Sequence, residues 1–166
     1  MCKFRLIAIG GTFDVIHKGH RELLRIAFEL GDRVLIGLTT DTFIRSMGKT
    51  HEVKPYVDRL EDLKKLLVNM QVASRAIIIP LEDPYGPTVS DSAIEAIVVS
   101  DETYNRALEI NRLREAKGLN ALKVVKITMV LAENGKPISS TRIRLGEIDE
   151  NGRLLKKDKF SRKSII

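Results

Sequence analysis

Two histidines three residues apart follow a glycine pair in the segment Gly10-Gly11-Thr12-Phe13-Asp14-Val15-Ile16-His17-Lys18-Gly19-His20. A glycine-rich passage from strand to helix is where backbone N–H groups and a helix N-terminus can receive phosphate. At the start of a helix, a spacing of three puts both rings on one face. Imidazoles placed there can donate to phosphate oxygens, whereas two of them are poorly explained as core residues. The spacing matches neither G-x-G-x-x-G nor G-x-x-x-x-G-K-[ST], so it is not the common dinucleotide or P-loop pattern. Metal binding is the competing chemistry, but zinc wants three or four ligands. The remaining candidates are His51 and Cys2, and Cys2 precedes the first strand, so no protein-ligated metal is expected.

Near the other end, Ser139-Ser140-Thr141 stand one turn before Arg144. Their hydroxyls suit an ordinary helix N-cap. The same groups, with the N–H groups of a helix start, suit a second phosphate position. Arg144 adds a fixed charge with a fork geometry that matches phosphate. Arg142 reads as a surface arginine. Ser100-Asp101-Glu102-Thr103 reads first as a capping box with acid at a helix start. Asp14 is expected to brace the first loop through local hydrogen bonds.

The elements that must position these residues alternate between strand and helix. Phe4–Ile9 is a short apolar segment that runs into the Gly-Gly turn. Gly19–Leu30 carries Leu23, Leu24, Ala27, Phe28 and Leu30 at helical spacing, and Gly31 stops it. Arg33–Leu38 is the next strand. Val57, Leu60, Leu63, Leu67 and Met70 mark one face of a second helix, with Pro55 just before it. Ala76–Ile79 is a third strand stopped by Pro80, and Pro84–Pro87 is a rigid loop. Ala96–Val99 is a fourth strand, followed by a helix from about Glu102 to Ala116. Lys123–Leu131 is a fifth strand, Asn134-Gly135 a turn, and a short helix starts near Ser139. The pattern predicts a single Rossmann-like α/β domain, with a mostly parallel five-stranded sheet and helices on both faces. Ligands in such sheets bind beyond the carboxyl ends of the strands. Both histidines and both hydroxyl-rich segments follow strands.

The chain has 166 residues and a formal net charge of +6, which invites a nucleic-acid reading. The charge is uneven. Residues 151–166 carry six basic side chains against Asp158 alone, leaving 22 basic and 21 acidic side chains in the first 150. We therefore divide the chain into a nearly neutral domain, 1–150, and a basic C-terminal tail, 151–166, read as a solvated terminus. Nucleic acid is not the expected partner. One cysteine excludes an intramolecular disulfide framework. No apolar run approaches the ~20 residues of a membrane span, and the N-terminus lacks a signal-peptide shape. A cytoplasmic protein is the expectation. Oligomeric state is not legible.

Gly11-Thr12-Phe13-Asp14 with His17-Lys18-Gly19-His20 resembles the H-x-G-H signature of the nucleotidylyltransferase superfamily. Ile138-Ser139-Ser140-Thr141-Arg142-Ile143-Arg144 resembles that superfamily's I-S-S-T-x-x-R motif. Between them, Asp83–Thr88, Val98–Thr103, Asn111 and Arg112 are similar to the archaeal and eukaryotic type of phosphopantetheine adenylyltransferase. The resemblance implies transfer of the adenylyl group of ATP to 4′-phosphopantetheine. It implies His20 as the donor to the α-phosphate and His17 beside it. Gly11, Thr12 and Phe13 would hold nucleotide and acceptor phosphate, Ser139, Ser140, Thr141 and Arg144 the β,γ-phosphates, and Ser100–Thr103 the adenine or ribose. A catalytic, substrate-contacting lysine is implied in the loop after the second strand, with Lys49 the choice and Lys54 its rival. Arg59 either touches substrate or favours its helix, and Tyr85 and Pro87 shape the pantetheine channel. Magnesium would be held mainly by ATP oxygens and water. The positive groups for this chemistry are then the two histidines, Arg144, one lysine and two helix starts. A sister enzyme acting on nicotinamide mononucleotide or FMN shares both end motifs, and the middle segment Asp83–Asn111 argues against it. A non-catalytic nucleotide- or RNA-binding module using the tail is the reading from a different class.

Overall fold

The computed structural model describes residues 3–48 and 52–156. Five parallel strands form one sheet in the order β3-β2-β1-β4-β5. They are β1 (Phe4–Gly11), β2 (Gly31–Thr39), β3 (Ala76–Leu81), β4 (Ala96–Val99) and β5 (Lys123–Lys126). The helices are α1 (Lys18–Leu30), α2 (Asp41–Ser46), α3 (Tyr56–Asn69), α4 (Tyr104–Ala116) and α5 (Ser140–Arg144). None of the described helices is long and apolar enough to cross a membrane.

Strand alternation divides the core into two layers. Ile7 and Ile9 of β1, with Val34 and Ile36 of β2, face Leu24 and Phe28 of α1 and Leu63 and Leu67 of α3. Ala8, Leu35, Ile97 and Val99 face the other way, toward Ala107 and Ile110 of α4. Central strands buried on both faces read as continuous apolar runs, which is why β1, β2 and β4 were conspicuous in the sequence. The chain moves outward from β1 to β2 to β3, then returns to β4 on the opposite side of β1. That reversal leaves a crevice above the carboxyl ends of β1 and β4.

Several boundaries differ from expectation, each for a local reason. Gly10 and Gly11 continue β1, paired with Gly37 and Leu38, so the turn begins at Thr12. Gly31 starts β2 as well as closing α1. Pro80 does not stop β3 but pairs with Leu38 inside it. Because β3 is an edge strand, a missing N–H costs the ladder nothing on its open side. The helix α2, capped by the Thr40 hydroxyl accepting from the Phe43 N–H at 3.1 Å, was not anticipated. Its six residues are too short for apolar periodicity to show.

The fifth strand ends at Lys126, not Leu131. Its last ladder bond runs from the Ile127 N–H to the Val99 carbonyl at 2.8 Å, where β4 itself ends. The following apolar residues turn instead into a small hairpin at Asn134-Gly135, with an isolated antiparallel bridge between Leu131 and Pro137. Ala132, Ile138 and Ile148 form a separate small core beneath it. Residues 151–155, assigned to the tail, are knitted to this unit. The Gly152 carbonyl accepts from the Glu133 N–H at 2.9 Å, Ile148 bridges Leu154, and the Leu155 N–H reaches the Glu147 carbonyl at 3.0 Å. Lys157, Lys159, Arg162 and Lys163 lie outside the described residues.

Candidate active site

His17 is the N-cap of α1, and its Nδ1 accepts from the Gly19 N–H at 3.1 Å. His20 answers it: its Nδ1 accepts from the His17 N–H at 3.2 Å. The pair forms a capping box in which imidazoles replace the usual hydroxyl and carboxylate. The H-x-G-H spacing therefore has a geometric meaning. The His17 ring folds over the helix start, where a Cβ on residue 19 would lie 2.9 Å from its Cε1. The ring cannot easily give way, because it stacks on His20 with centroids 3.8 Å apart. Phe13, buried and at φ 48°, packs 5.0 Å from the other face of the cluster. A Cβ on Gly11 would lie 3.0 Å from the Phe13 ring, so the close turn needs glycine there too.

This arrangement fixes the tautomer. With both Nδ1 atoms accepting from backbone, a neutral ring carries its proton on Nε2. The rings are neutral. Burial, then the nearby Arg21, lowers the His17 pKa to about 4. Burial, then His17 and Arg21, lowers that of His20 to about 3, against a hydrogen bond to the Val15 backbone that works the other way. The histidines are thus uncharged hydrogen-bond donors rather than the cations counted from the sequence.

A pH dependence of stability follows from the sign of these shifts. A depressed folded-state pKa means that the unfolded chain binds more protons between the folded values and the ordinary 6.5. The stabilisation is complete above pH 6.5 and is lost as pH falls toward 4 and then 3. Denaturant unfolding at pH 7.5 and 5.0 is expected to show a loss of about 2 kcal/mol from each ring, on the order of 4 kcal/mol from the pair. The double variant His17→Asn, His20→Gln is expected to lose less over the same interval. An equal loss in both proteins would contradict the assignment.

A cleft of about 530 Å³ opens above the carboxyl ends of the strands. That is the size of an ordinary small-molecule site. Gly11, Thr12, Phe13, His17 and His20 line one side, Ser100–Thr103 another, Ser139–Thr141 a third, and Tyr85 and Pro87 the outer wall. The two end motifs meet directly: the Ser140 hydroxyl donates to the Val15 carbonyl at 3.3 Å, across 125 residues of sequence. Ser139 is the N-cap of α5, accepting from the Arg142 N–H at 3.2 Å. Ser140 and Thr141 therefore face the cleft from a capped start. The capping box at Ser100–Thr103 does not form. The helix begins at Tyr104 without a side-chain cap, and the Ser100 N–H donates to the Thr103 hydroxyl within a turn. Asp101 pairs with Lys126 at 2.6 Å. Tyr85 donates its hydroxyl to Glu109 at 2.5 Å, joining the outer loop to α4.

The basic residues are arranged differently from expectation. Arg59 touches no substrate space: it is fully buried and donates only to protein acceptors, which corrects its reading as a substrate contact. The Lys54 ammonium turns away to Asp62 at 3.0 Å, which weakens it as the loop lysine. Lys49 lies outside the described residues. Arg144 pairs with Asp14 and does not line the cleft. Asp14 also accepts from the Lys54 N–H at 2.8 Å, so it bridges distant segments rather than bracing its own loop. Arg142 is not an idle surface residue, since it reaches the Pro137 carbonyl at 2.8 Å and Glu147 at 2.9 Å. Arg114, which sequence reasoning passed over, is buried and donates to the Asn120 and Thr88 carbonyls, both at 2.7 Å. Its only sequence signal is an arginine on the apolar face of a helix. Among the described residues, no group of three His, Cys, Asp or Glu side chains could hold a metal ion.

Residues 8–146 match the family model described as cytidylyltransferase-like. The phosphopantetheine adenylyltransferase of Methanopyrus kandleri is 47% identical over 150 residues, covering 90% of this chain and 94% of that protein. The phosphopantetheine adenylyltransferase of Methanothermobacter thermautotrophicus is 46% identical over 155 residues, covering 93% of this chain and 92% of that one. A crystal structure of an Archaeoglobus fulgidus protein of unknown function superposes with a TM-score of 0.66 at 35% identity, covering 75% of this chain and 90% of the other. The match extends through both motifs and the segment between them, and on that ground the chain belongs to the phosphopantetheine adenylyltransferase family, within the cytidylyltransferase-like group.

Proposed function

We propose that this chain transfers the adenylyl group of ATP to 4′-phosphopantetheine, giving dephospho-coenzyme A and pyrophosphate. The observation that carries the reading is the near full-length similarity to phosphopantetheine adenylyltransferases, together with a cleft in which the histidine pair and the Ser139–Thr141 segment converge. A phosphate oxygen of phosphopantetheine attacks the α-phosphorus, and the bond from that phosphorus to the bridging α,β-oxygen breaks. A phosphate monoester has a second pKa of about 6, so the nucleophile is already ionised at neutral pH and needs no general base. The protein must bring two anions together and stabilise charge on the α-phosphate and the leaving group.

The geometry supports a division of roles. In this reading the His20 Nε2–H exchanges the Val15 backbone for an α-phosphate oxygen when ATP binds, and His17 stands beside it as a second donor. Neutral donors suit the site before ATP binds, where the buried rings need no counter-ion near pH 7. Thr12, with the N–H groups of Gly11 and Phe13, holds the acceptor phosphate and the nucleotide. Ser139, Ser140 and Thr141 take the β,γ-phosphates, and Ser100–Thr103 the adenosine. Arg144 acts from behind Asp14 rather than as a free phosphate ligand. Lys49 is kept as the loop lysine that approaches the acceptor. Tyr85 and Pro87 bound the pantetheine arm. In this reading magnesium enters as the complex of ATP, bound through its phosphates, and the reaction runs in the cytoplasm. Purified protein is expected to release pyrophosphate only when ATP, phosphopantetheine and magnesium are all present. Release without phosphopantetheine would contradict the assignment.

A further inference from the structure

Arg59 is 0% exposed, yet none of its donors is spent inside its own helix. Its Nε donates to the Lys54 carbonyl at 2.8 Å. One terminal nitrogen donates to the Thr39 carbonyl at 2.7 Å and to the Thr12 carbonyl at 3.0 Å. The other pairs with Asp41 at 3.0 Å. One guanidinium thus closes on the residue after β1, the last residue of β2, the first of α2 and Lys54 just ahead of α3. Burying a charge is costly, and an apolar side chain of similar size would fill the same volume at lower cost. What an apolar residue could not supply is a planar fork that fixes carbonyls at the ends of two neighbouring strands at once, one just past β1 and one closing β2.

Thr12 is the focus of this network. Its carbonyl is held by Arg59, and its hydroxyl accepts from the Thr39 hydroxyl at 3.2 Å. Both threonines line the cleft. The Ser100–Thr103 and Ser139–Thr141 segments make no hydrogen bond to Arg59. We infer that Arg59 is a positioning residue that sets the acceptor side of the cleft through Thr12 and leaves nucleotide binding largely alone. The inference rests on the acceptor role given to Thr12 above.

The test uses the full chain with Arg59→Lys, Arg59→Met and Thr39→Val, each measured for ATP Kd by equilibrium titration and for phosphopantetheine KM and kcat. In Arg59→Met, phosphopantetheine KM is expected to rise and kcat to fall, each by about tenfold, since small misplacements of a positioned group are costly. ATP Kd is expected to stay within about threefold, the pattern for a group acting on one substrate only. Arg59→Lys, which keeps the charge and reaches part of the carbonyl set, is expected to recover part of the loss. Equal losses for ATP and acceptor, or folded variants with unchanged constants, would overturn the inference. If Arg59→Met does not fold, Thr39→Val carries the decision: a higher phosphopantetheine KM with unchanged ATP Kd supports it, and unchanged constants overturn it. Absence of turnover with phosphopantetheine in the unaltered protein would overturn the functional reading itself, which is a separate outcome.

Discussion

Replacing His20 by alanine is expected to lower kcat by about 100-fold, the scale for losing one donor to developing negative charge in a protected site. That corresponds to about 2.7 kcal/mol of transition-state stabilisation. The effect belongs in kcat rather than ATP KM, because the interaction strengthens as charge builds on the α-phosphate. A structural confound has to be removed, since His20 also accepts from the His17 N–H as the return half of the capping box. Losing a cap costs about 1 kcal/mol of stability and could disturb the helix start. The variant His20→Gln separates the two effects. Gln is a natural partner at this position of a capping box, so it can accept the same N–H. Its Tm is expected to stay near that of the unaltered protein while kcat remains strongly depressed. A His20→Ala protein with near-normal kcat would remove His20 from the chemistry.

Asp14→Ala is expected to have the second largest effect, on stability and activity together. The Asp14 carboxylate is buried, pairs with Arg144 and accepts from the Lys54 N–H. It joins the turn after β1 to α5, 130 residues away, and to the segment before α3. Truncation strands the Lys54 N–H and unpairs Arg144. Because the Arg144 side chain is 26% exposed, it can turn to water, so the cost falls below that of breaking a fully buried pair. A loss of about 2 kcal/mol is expected, or a Tm lower by about 4–8 °C for a chain of this size. Catalytic efficiency should fall by about tenfold at a temperature where the variant is folded, since both phosphate-facing motifs lose their common anchor. A stable variant with full activity would show that the two motifs are held together by other contacts. Arg144→Ala is the companion, expected to be milder in stability because Asp14 retains the Lys54 N–H.

Much of the sheet was legible because its central strands are buried on both faces and have no polar alternation to confuse them. The two end motifs were legible for another reason: paired histidines are unusual at a helix start, and the hydroxyl run, which alone reads as a cap, gained meaning from its pairing with the first motif. What escaped the sequence was long-range pairing. Arg59 looked like a substrate contact or a helix former, and nothing local says that its fork closes on a carbonyl just past β1 and another at the end of β2. Asp14 looked like a turn residue because its partners lie 40 and 130 positions away. The fifth strand was read five residues too long because apolar residues after Lys126 pack into the hairpin core of Ala132, Ile138 and Ile148 rather than extend the ladder. The charge on the histidines was also misjudged. Their types suggested cations, but burial and the capping geometry make them neutral.

The net charge that first suggested nucleic acid has a narrower meaning once the cleft is described. Lys54, Lys126 and Arg144 are paired with carboxylates, and Arg59 is sealed in the core. The cleft offers oriented hydroxyls, N–H groups and neutral imidazoles to a small polyphosphate. Among the described residues that line it, Arg106 is the one arginine or lysine, and it pairs with Glu109 at 3.4 Å.

The most direct measurement is turnover across an acceptor panel, with phosphopantetheine, nicotinamide mononucleotide and FMN each supplied with magnesium and either ATP or CTP. The products are separated by chromatography and identified by mass. The account predicts dephospho-coenzyme A and stoichiometric pyrophosphate from ATP with phosphopantetheine, and no comparable product from the other pairs. Robust turnover with a mononucleotide acceptor and none with phosphopantetheine would contradict it.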